Sequence, residues 1–424
     1  MLHLFLYTTV LFSCGYDDPF EFSGSDGSSE QSQKDTKENQ DTSTPIPDIN
    51  YYSHIRPMVD QKCIHCHFEG GRSFDMNKHD AFVGLSEYIA RDVRDGGKPP
   101  PISNKDCRSY IGDERYVTEE DKKLLEEFVA YGSPIGNPSD ATDYQPPSVH
   151  DAPEEIFDIT LSIDSNYPFP SNEGHRCSVF SLNNQAPITL KSSEFFTNDT
   201  RQSWTSTLFL APPNYESPQG EHFGCQFSGE EDWKVLASWS PGIPPIEYGD
   251  GIVLEENATI ILKQYWFPEY NGFSDFVGYW GLHTSDEIPD RPTEIIKLDI
   301  LDFTLPASDN NITIEETFEW NGENQSIIGA YFRSSQLGMG GRLHHFTEDE
   351  NTSCLLDYYL YEPLVPQHIM FKESLDIQNG NRLHLACDYD NSSGNKKQVY
   401  QPPLDLPQTY NGDMALCFVT LYVR

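Results

Sequence analysis

Basic residues are scarce. Lys and Arg together number 28 against 67 Asp and Glu, a formal net charge of −39. Nucleic-acid binding needs Lys and Arg on phosphates, so this balance excludes that class of partner. Acidity of this kind mainly keeps a surface soluble. Long apolar runs are missing as well. After the N-terminus no stretch is long enough to span a bilayer. What remains suits a globular chain: 424 residues allow two or three domains, and 37% hydrophobic with 13% aromatic residues can fill their cores.

One short stretch organises the rest: Cys63-Ile64-His65-Cys66-His67. Two cysteines three apart with a histidine directly after are the attachment pattern of c-type haem. Each thiol adds to one vinyl group, and His67 then lies under the iron as proximal ligand. The competing reading, half of a zinc site, needs a second ligand pair at matching spacing. The nearest candidates, His79 and Cys107, are not paired.

The first residues are mostly apolar and end in Leu11-Phe12-Ser13-Cys14-Gly15, a stretch like a bacterial lipoprotein box. Residues 1–14 are thus expected to be a signal peptide, with Cys14 lipidated and the membrane reached by that anchor alone. No Lys or Arg precedes the apolar run, and an ordinary signal peptide with an incidental cysteine is the alternative. Either reading predicts a bacterial cell-envelope location, periplasmic or on the outer membrane. Residues 15–50 carry nine acidic residues and two lysines with no apolar periodicity, and are expected to be a disordered tether. Six Asn-x-Ser/Thr sequons, at Asn198, Asn257, Asn311, Asn324, Asn351 and Asn391, arise by chance in a chain rich in asparagine.

Residues 51–141 predict a small all-α unit. Helices are expected over Tyr52–Lys62, over Phe82–Asp95 and after Thr118, where Asp121 completes a capping box and Gly132 with Pro134 ends the helix. Pro134 to Pro153 reads as a linker. Beyond it, short alternating runs separated by Gly, Pro, Asn and Asp predict antiparallel β-sandwiches. The runs are Ile156–Ile163, Thr259–Trp266, Ile295–Phe303, Ser326–Phe332, Arg382–Asp388 and Ala415–Val423. Two sandwiches are expected, over 154–290 and 291–424.

His54-Ile55-Arg56-Pro57, the haem motif, Gly70-Gly71, Pro99-Pro100 and the last helix resemble a bacterial cytochrome c module. That module is fused ahead of a copper type II monooxygenase-like domain. The β-rich part is similar to the two halves of the copper type II, ascorbate-dependent monooxygenases, the family of peptidylglycine hydroxylating and dopamine β-monooxygenases. In the first half the matching pieces are Arg176-Cys177, Leu208–Pro213, Gly224-Cys225, Trp239–Gly242 and Ile260–Trp266. In the second they are Gly329–Leu343, Cys354–Asp357, Asn381–Asp388, Asp390–Ser392 and Cys417–Tyr422. The resemblance implies a Met before the paired prolines as distal haem ligand. Here that position is Lys98, and the iron is otherwise open or takes Met76 or Met58.

The resemblance also implies two copper sites, and this chain lacks their ligands. Trp204 and Thr205 stand where the family has a His-His pair, and Tyr265 where the third ligand stands. Arg333 and Ser335 replace His-x-His, and Leu416 the thioether, with Met414 reachable only by a slip in register. Copper of this type needs imidazole and thioether donors, so none is expected. His344 and His345 are adjacent, and neighbours in a strand point to opposite faces. One is expected packed and one exposed. His222, His283, His368 and His384 are singletons, expected as packing or surface residues. The family implies disulfides Cys177–Cys225 and Cys387–Cys417. Cys107 and Cys354 are left over, bridging the helical unit to the second sandwich or both free, with the balance on free.

Three functions compete. The first is electron transfer by haem c to an unnamed redox partner, the β part serving as an emptied scaffold and no residue being catalytic. The second is an active copper hydroxylase fed by its own cytochrome. The third is a haem sensor or binding protein holding a small ligand or peptide between the sandwiches, with Trp204, Tyr265, Trp266, Tyr331 and Phe332 lining the cleft.

Overall fold

The computed structural model describes residues 49–68, 74–96, 99, 102–141, 156–163, 174–198, 203–216, 222–225, 232–266, 278–365, 367–398, 400–408 and 415–424. The expectations for Cys14, the tether to residue 48, Gly70-Gly71, Lys98 and Met414 lie outside these residues. Of Trp204 only the backbone is described.

The helical unit begins with a π-helical turn, Tyr51–Ile55, capped by the Asn50 side chain. α1 (Arg56–Lys62) continues it directly into the Cys63–His67 turn. The single helix expected over Phe82–Asp95 is two, α2 (His79–Gly84) and α3 (Ser86–Arg94), broken at Leu85. The Ser86 hydroxyl donates to the Val83 carbonyl, the acceptor a continuous helix would give to residue 87. α4 (Glu119–Ala130) starts at a complete capping box between Thr118 and Asp121. Gly132 and Ser133, both at positive φ, end it. Tyr51, Ile55, Val59, Phe82, Leu125 and Phe128 form the centre of its core. Thr118→Ala is expected to lose about 1 kcal/mol, the usual worth of such a cap. Chemical denaturation should show it, and an unchanged midpoint would count against the cap.

The segment after α3 leaves this core. Ile102 and Tyr110 enter the core of the second β unit, Asn104 N–H donates to Asp357 O at 2.8 Å, and Ile111 N–H to Met370 O at 2.9 Å. Cys107 and Cys354 are joined in a disulfide here, which corrects the expectation of free thiols. The backbone bonds place the two cysteines side by side, a proximity that sequence distance conceals. Cys177–Cys225 and Cys387–Cys417 are also joined.

The rest is antiparallel β. β1 (Ile159–Ile163), β9 (Gly278–Ser285), β3 (Ile188–Thr197) and β7 (Ile246–Leu254) form one sheet in that order. β5 (His222–Gly224), β2 (Gly174–Ser181), β8 (Thr259–Trp266), β4 (Ser203–Leu210) and β6 (Lys234–Trp239) form a second. Their facing sides share one apolar core, crossed by a hydrogen bond from Trp280 Nε1 to Ser206 Oγ.

β10 (Glu294–Asp299), β19 (Cys417–Val423), β13 (Gln325–Ser334) and β16 (Gln367–Ile377) make a third sheet. It packs on a fourth, made of β12 (Ile312–Glu319), β17 (Arg382–Tyr389), β14 (Gly338–Phe346) and β15 (Thr352–Tyr358). β11 (Thr304–Leu305) pairs with β18 (Leu406–Pro407). No sheet mixes strands from the two sides of residues 286–293.

β13 and β19 were expected to alternate, and they do not. Every residue of Cys417–Val423 is buried. Cys417, Val419 and Leu421 face the core of their own unit, whereas Leu416, Phe418 and Tyr422 pack into the core of the first. The third sheet is therefore covered on both faces. Tyr422 donates its hydroxyl to Val235 O across this boundary. No helix among the described residues is long and apolar enough to cross a membrane.

Candidate functional site

Cys63, Cys66 and His67 all line one cleft, with Phe74, Met76, Ile89, Val93 and Pro99 as its apolar walls. Its empty volume is about 570 Å³, part of it open to solvent. The turn that presents these three side chains continues α1: Cys63 N–H donates to Val59 O and His67 N–H to Cys63 O. Among the described residues, Cys63 and Cys66 are the cysteines outside the three disulfides.

His67 Nδ1 lies 3.1 Å from the Phe74 carbonyl. A carbonyl only accepts, so Nδ1 carries the proton and Nε2 of the neutral ring keeps its lone pair. Such a second hydrogen bond orients a metal-binding imidazole and raises its basicity. The Phe74 segment is itself tied down. Met76 N–H donates to His67 O, and Tyr51 Oη donates to Met76 O at 2.9 Å. Arg56 donates to Asn77 O at 3.1 Å and to Asn77 Oδ1 at 2.8 Å. The same guanidinium pairs with Asp60, one turn along α1 and almost fully buried.

Burial pushes the Asp60 carboxyl up from its ordinary range, with Arg56 opposing it. A raised carboxyl is destabilising once ionised, so its contribution is present at acid pH and lost as pH rises through its folded value. Arg56→Ala is expected to cost about 3 kcal/mol at pH 7, where it leaves a buried carboxylate without its counter-charge. The loss should shrink toward pH 4 as Asp60 takes up a proton. Denaturation at the two pH values checks this, and an equal loss at both would refute it.

Met76 lines the cleft and Met58 does not; Met58 is packed in the helical core. Pro99 reaches the cleft.

On its Cys66 side the motif meets both β units. Tyr265 packs against Cys66, Leu364 and Val365. The Trp239–Gly242 loop approaches so closely that a Cβ on Gly242 would lie 3.0 Å from Arg115 Nη1 and 3.0 Å from the His65 ring. Burial, and then the Arg115 charge, push the His65 imidazole down to about 4.

The described positions compared with copper ligands fall in two places. Thr205 and Tyr265 are register partners on β4 and β8. Arg333 and Ser335 flank Ser334, which pairs with Cys417 beside Leu416. All five described side chains are buried. A histidine stands by the first group. His175, on β2, pairs with Tyr265, and their rings lie 4.8 Å apart. Its imidazole is pushed well below the ordinary value, by burial first and then by Lys263, Arg333 and Arg176. Arg333 itself donates to Pro363 O at 2.9 Å. Among the described residues no three His, Cys, Asp or Glu stand together as a metal-binding group.

His345 is buried and bonded to Asn381 at 2.8 Å, while its neighbour His344 is partly exposed, the alternation expected. His222 reaches Ser178 and His384 reaches Thr317, whereas His368 is buried and stacked on Tyr422. Tyr265, Trp266, Tyr331 and Phe332 are buried, and none lines either cleft at the haem motif. The last three fill the cores of the β units.

Sequence reasoning missed Phe74, whose contribution is a backbone carbonyl without side-chain signature. It also missed Arg115, an arginine outside any motif, and His175, a singleton made relevant only by strand pairing.

No family model matches the chain, and no curated protein matches it. Among solved structures, that of the infectious bursal disease virus Gx strain shares 9% identity over 65% of this chain and 74% of that one, with a TM-score of 0.18. The VP2 subviral particle of the same virus shares 12% over 59% and 62%, with a TM-score of 0.17. The N-terminal CBM22-1-CBM22-2 tandem domain from Paenibacillus barcinonensis Xyn10C shares 8% over 62% and 81%, with a TM-score of 0.14. Overlaps this low carry no argument about this chain.

Proposed function

We propose that this is an extracytoplasmic electron-transfer protein whose redox centre is a c-type haem. Cys63 and Cys66 would hold it by thioether links and His67 by its Nε2. The observation that carries this reading is the Nδ1–H bond from His67 to Phe74 O, which fixes the tautomer and orientation of an imidazole on the wall of a cleft that both cysteines also line. The bound group would supply a one-electron iron couple. The chain's own part is to orient His67, to exclude water with Phe74, Ile89 and Val93, and to present the Cys66 side to the β units.

Lys98 is the distal ligand we favour. Its neighbour Pro99 reaches the cleft, while Met76 is bonded through its backbone to His67 itself. Three disulfides suit an oxidising compartment, and we place the anchor at a lipidated Cys14. We read the β part as a copper type II monooxygenase-like scaffold without its metals. Thr205, Arg333, Ser335 and Leu416 supply no imidazole or thioether. Three cations also lay positive charge on His175, which disfavours another cation there.

The test is one preparation, matured with haem-attachment machinery. Denatured in alkaline pyridine, it should give a c-type haemochrome band with one iron per chain and no copper by elemental analysis. Absence of the band refutes the haem, and one or more copper per chain refutes the emptied scaffold.

A further inference from the structure

A second cavity adjoins the first, sharing Lys62, Cys66 and Pro99 with it, with an empty volume of about 430 Å³ that includes open solvent. All three units build it. Cys66, Ile102 and Arg115 come from the N-terminal part, Pro241 from the first β unit and Val365 from the second. Cys66, Pro99, Ile102, Pro241 and Val365 give it apolar walls, and Lys62, His65, Gln367 and Arg115 are its polar members, of which Arg115 asks for an explanation.

Arg115 Nε donates to Gly112 O at 3.3 Å. Among the described residues that neutral carbonyl is its one hydrogen-bond acceptor, and no carboxylate forms an ion pair with it. Its Nη1 is wedged beside His65 under Gly242, a glycine at φ +87° that leaves room for it. Lys62, the other cation on the wall, is occupied: its Nζ bonds Glu114 O and Tyr116 O and pairs with Asp121. A guanidinium partly withdrawn from water, as that of Arg115 is, is costly without a counter-ion, and such groups are normally paired. This chain carries 67 acidic residues, yet none of those described pairs with Arg115.

We propose that the junction cavity is a carboxylate site, with the Arg115 fork as its anchor and Ile102, Pro241 and Val365 as walls for an apolar body. A planar guanidinium matches a carboxylate in two parallel hydrogen bonds. Two sources carry that chemistry: a small organic acid with a branched or aromatic body, or a propionate of the haem itself. The second source rests on the haem proposed above; the first does not.

Benzoate titrated into the full-length haem-loaded protein, followed by calorimetry, is the test, with benzamide as its uncharged counterpart. For an external acid, benzoate binds saturably and benzamide about tenfold or more weaker. Arg115→Met then loses the benzoate binding, Arg115→Lys keeps part of it, and Val365→Trp, which fills the cavity from the opposite wall, loses it with Arg115 intact. For a haem propionate, benzoate does not bind, and the propionate bending bands in the resonance Raman spectrum shift in Arg115→Met. If benzoate fails to bind and those bands do not move in a folded Arg115→Met protein, the site does not exist. Failure of the haem reading shows separately, as a missing haemochrome band, and leaves the calorimetric arm intact.

Discussion

A protein with both Cys63 and Cys66 replaced by serine is expected to emerge without covalent haem. Serine hydroxyls do not add to vinyl groups, so the pigment would be extracted by acidified solvent from this variant and retained by the parent. The single variants should keep one thioether link and a shifted haemochrome band. His67→Ala should keep both thiols but lose the axial nitrogen that the Phe74 carbonyl orients. A haemochrome band of parental position and intensity in the double variant would sink the assignment. Cys63 is buried in the helical core, and a serine there removes only a small polarisable contact. Loss of colour in a protein with parental helical circular dichroism therefore reports attachment rather than folding.

The second large effect is expected at Cys107–Cys354. Its two residues are 247 apart in sequence, against 48 for Cys177–Cys225 and 30 for Cys387–Cys417. In the chain-entropy account, the longer the loop closed, the more the unfolded state is restricted; a loop of this size is worth about 5–6 kcal/mol. Replacing both cysteines with alanine should lower stability by that order. Elsewhere this junction is held by main-chain bonds such as Asn104 to Asp357 and Ile111 to Met370 and by the Lys372–Asp113 ion pair. Hydrogen exchange should show the Ile102–Tyr116 segment loosening first. The corresponding change at Cys387–Cys417 should cost about 2 kcal/mol less on loop length alone. An equal loss from both bridges would show that packing rather than loop closure decides their worth.

What the sequence determined is local. The Cys63–His67 spacing, the Thr118–Asp121 cap, the stop at Gly132 and the run Thr259–Trp266 are set by residues within a few positions of one another, and each is found where it was expected. The break at Leu85 was also local, but a serine hydroxyl competing for one carbonyl is a small preference that periodicity masks. Tertiary structure decided the rest. Cys417–Val423 has no polar face because a second sheet system covers it, and nothing within seven residues says which. Cys107 met Cys354, and His175 met Tyr265, through backbone pairing between distant segments. The setting of Cys63–His67 follows the same rule. Its residues are contiguous, but the carbonyl that orients His67, the tyrosine behind Cys66 and the arginine beside it arrive from three separate stretches of chain. Hydrogen bonds and apolar contacts act over a few ångströms of space, and only the folded chain fixes which residues share that space.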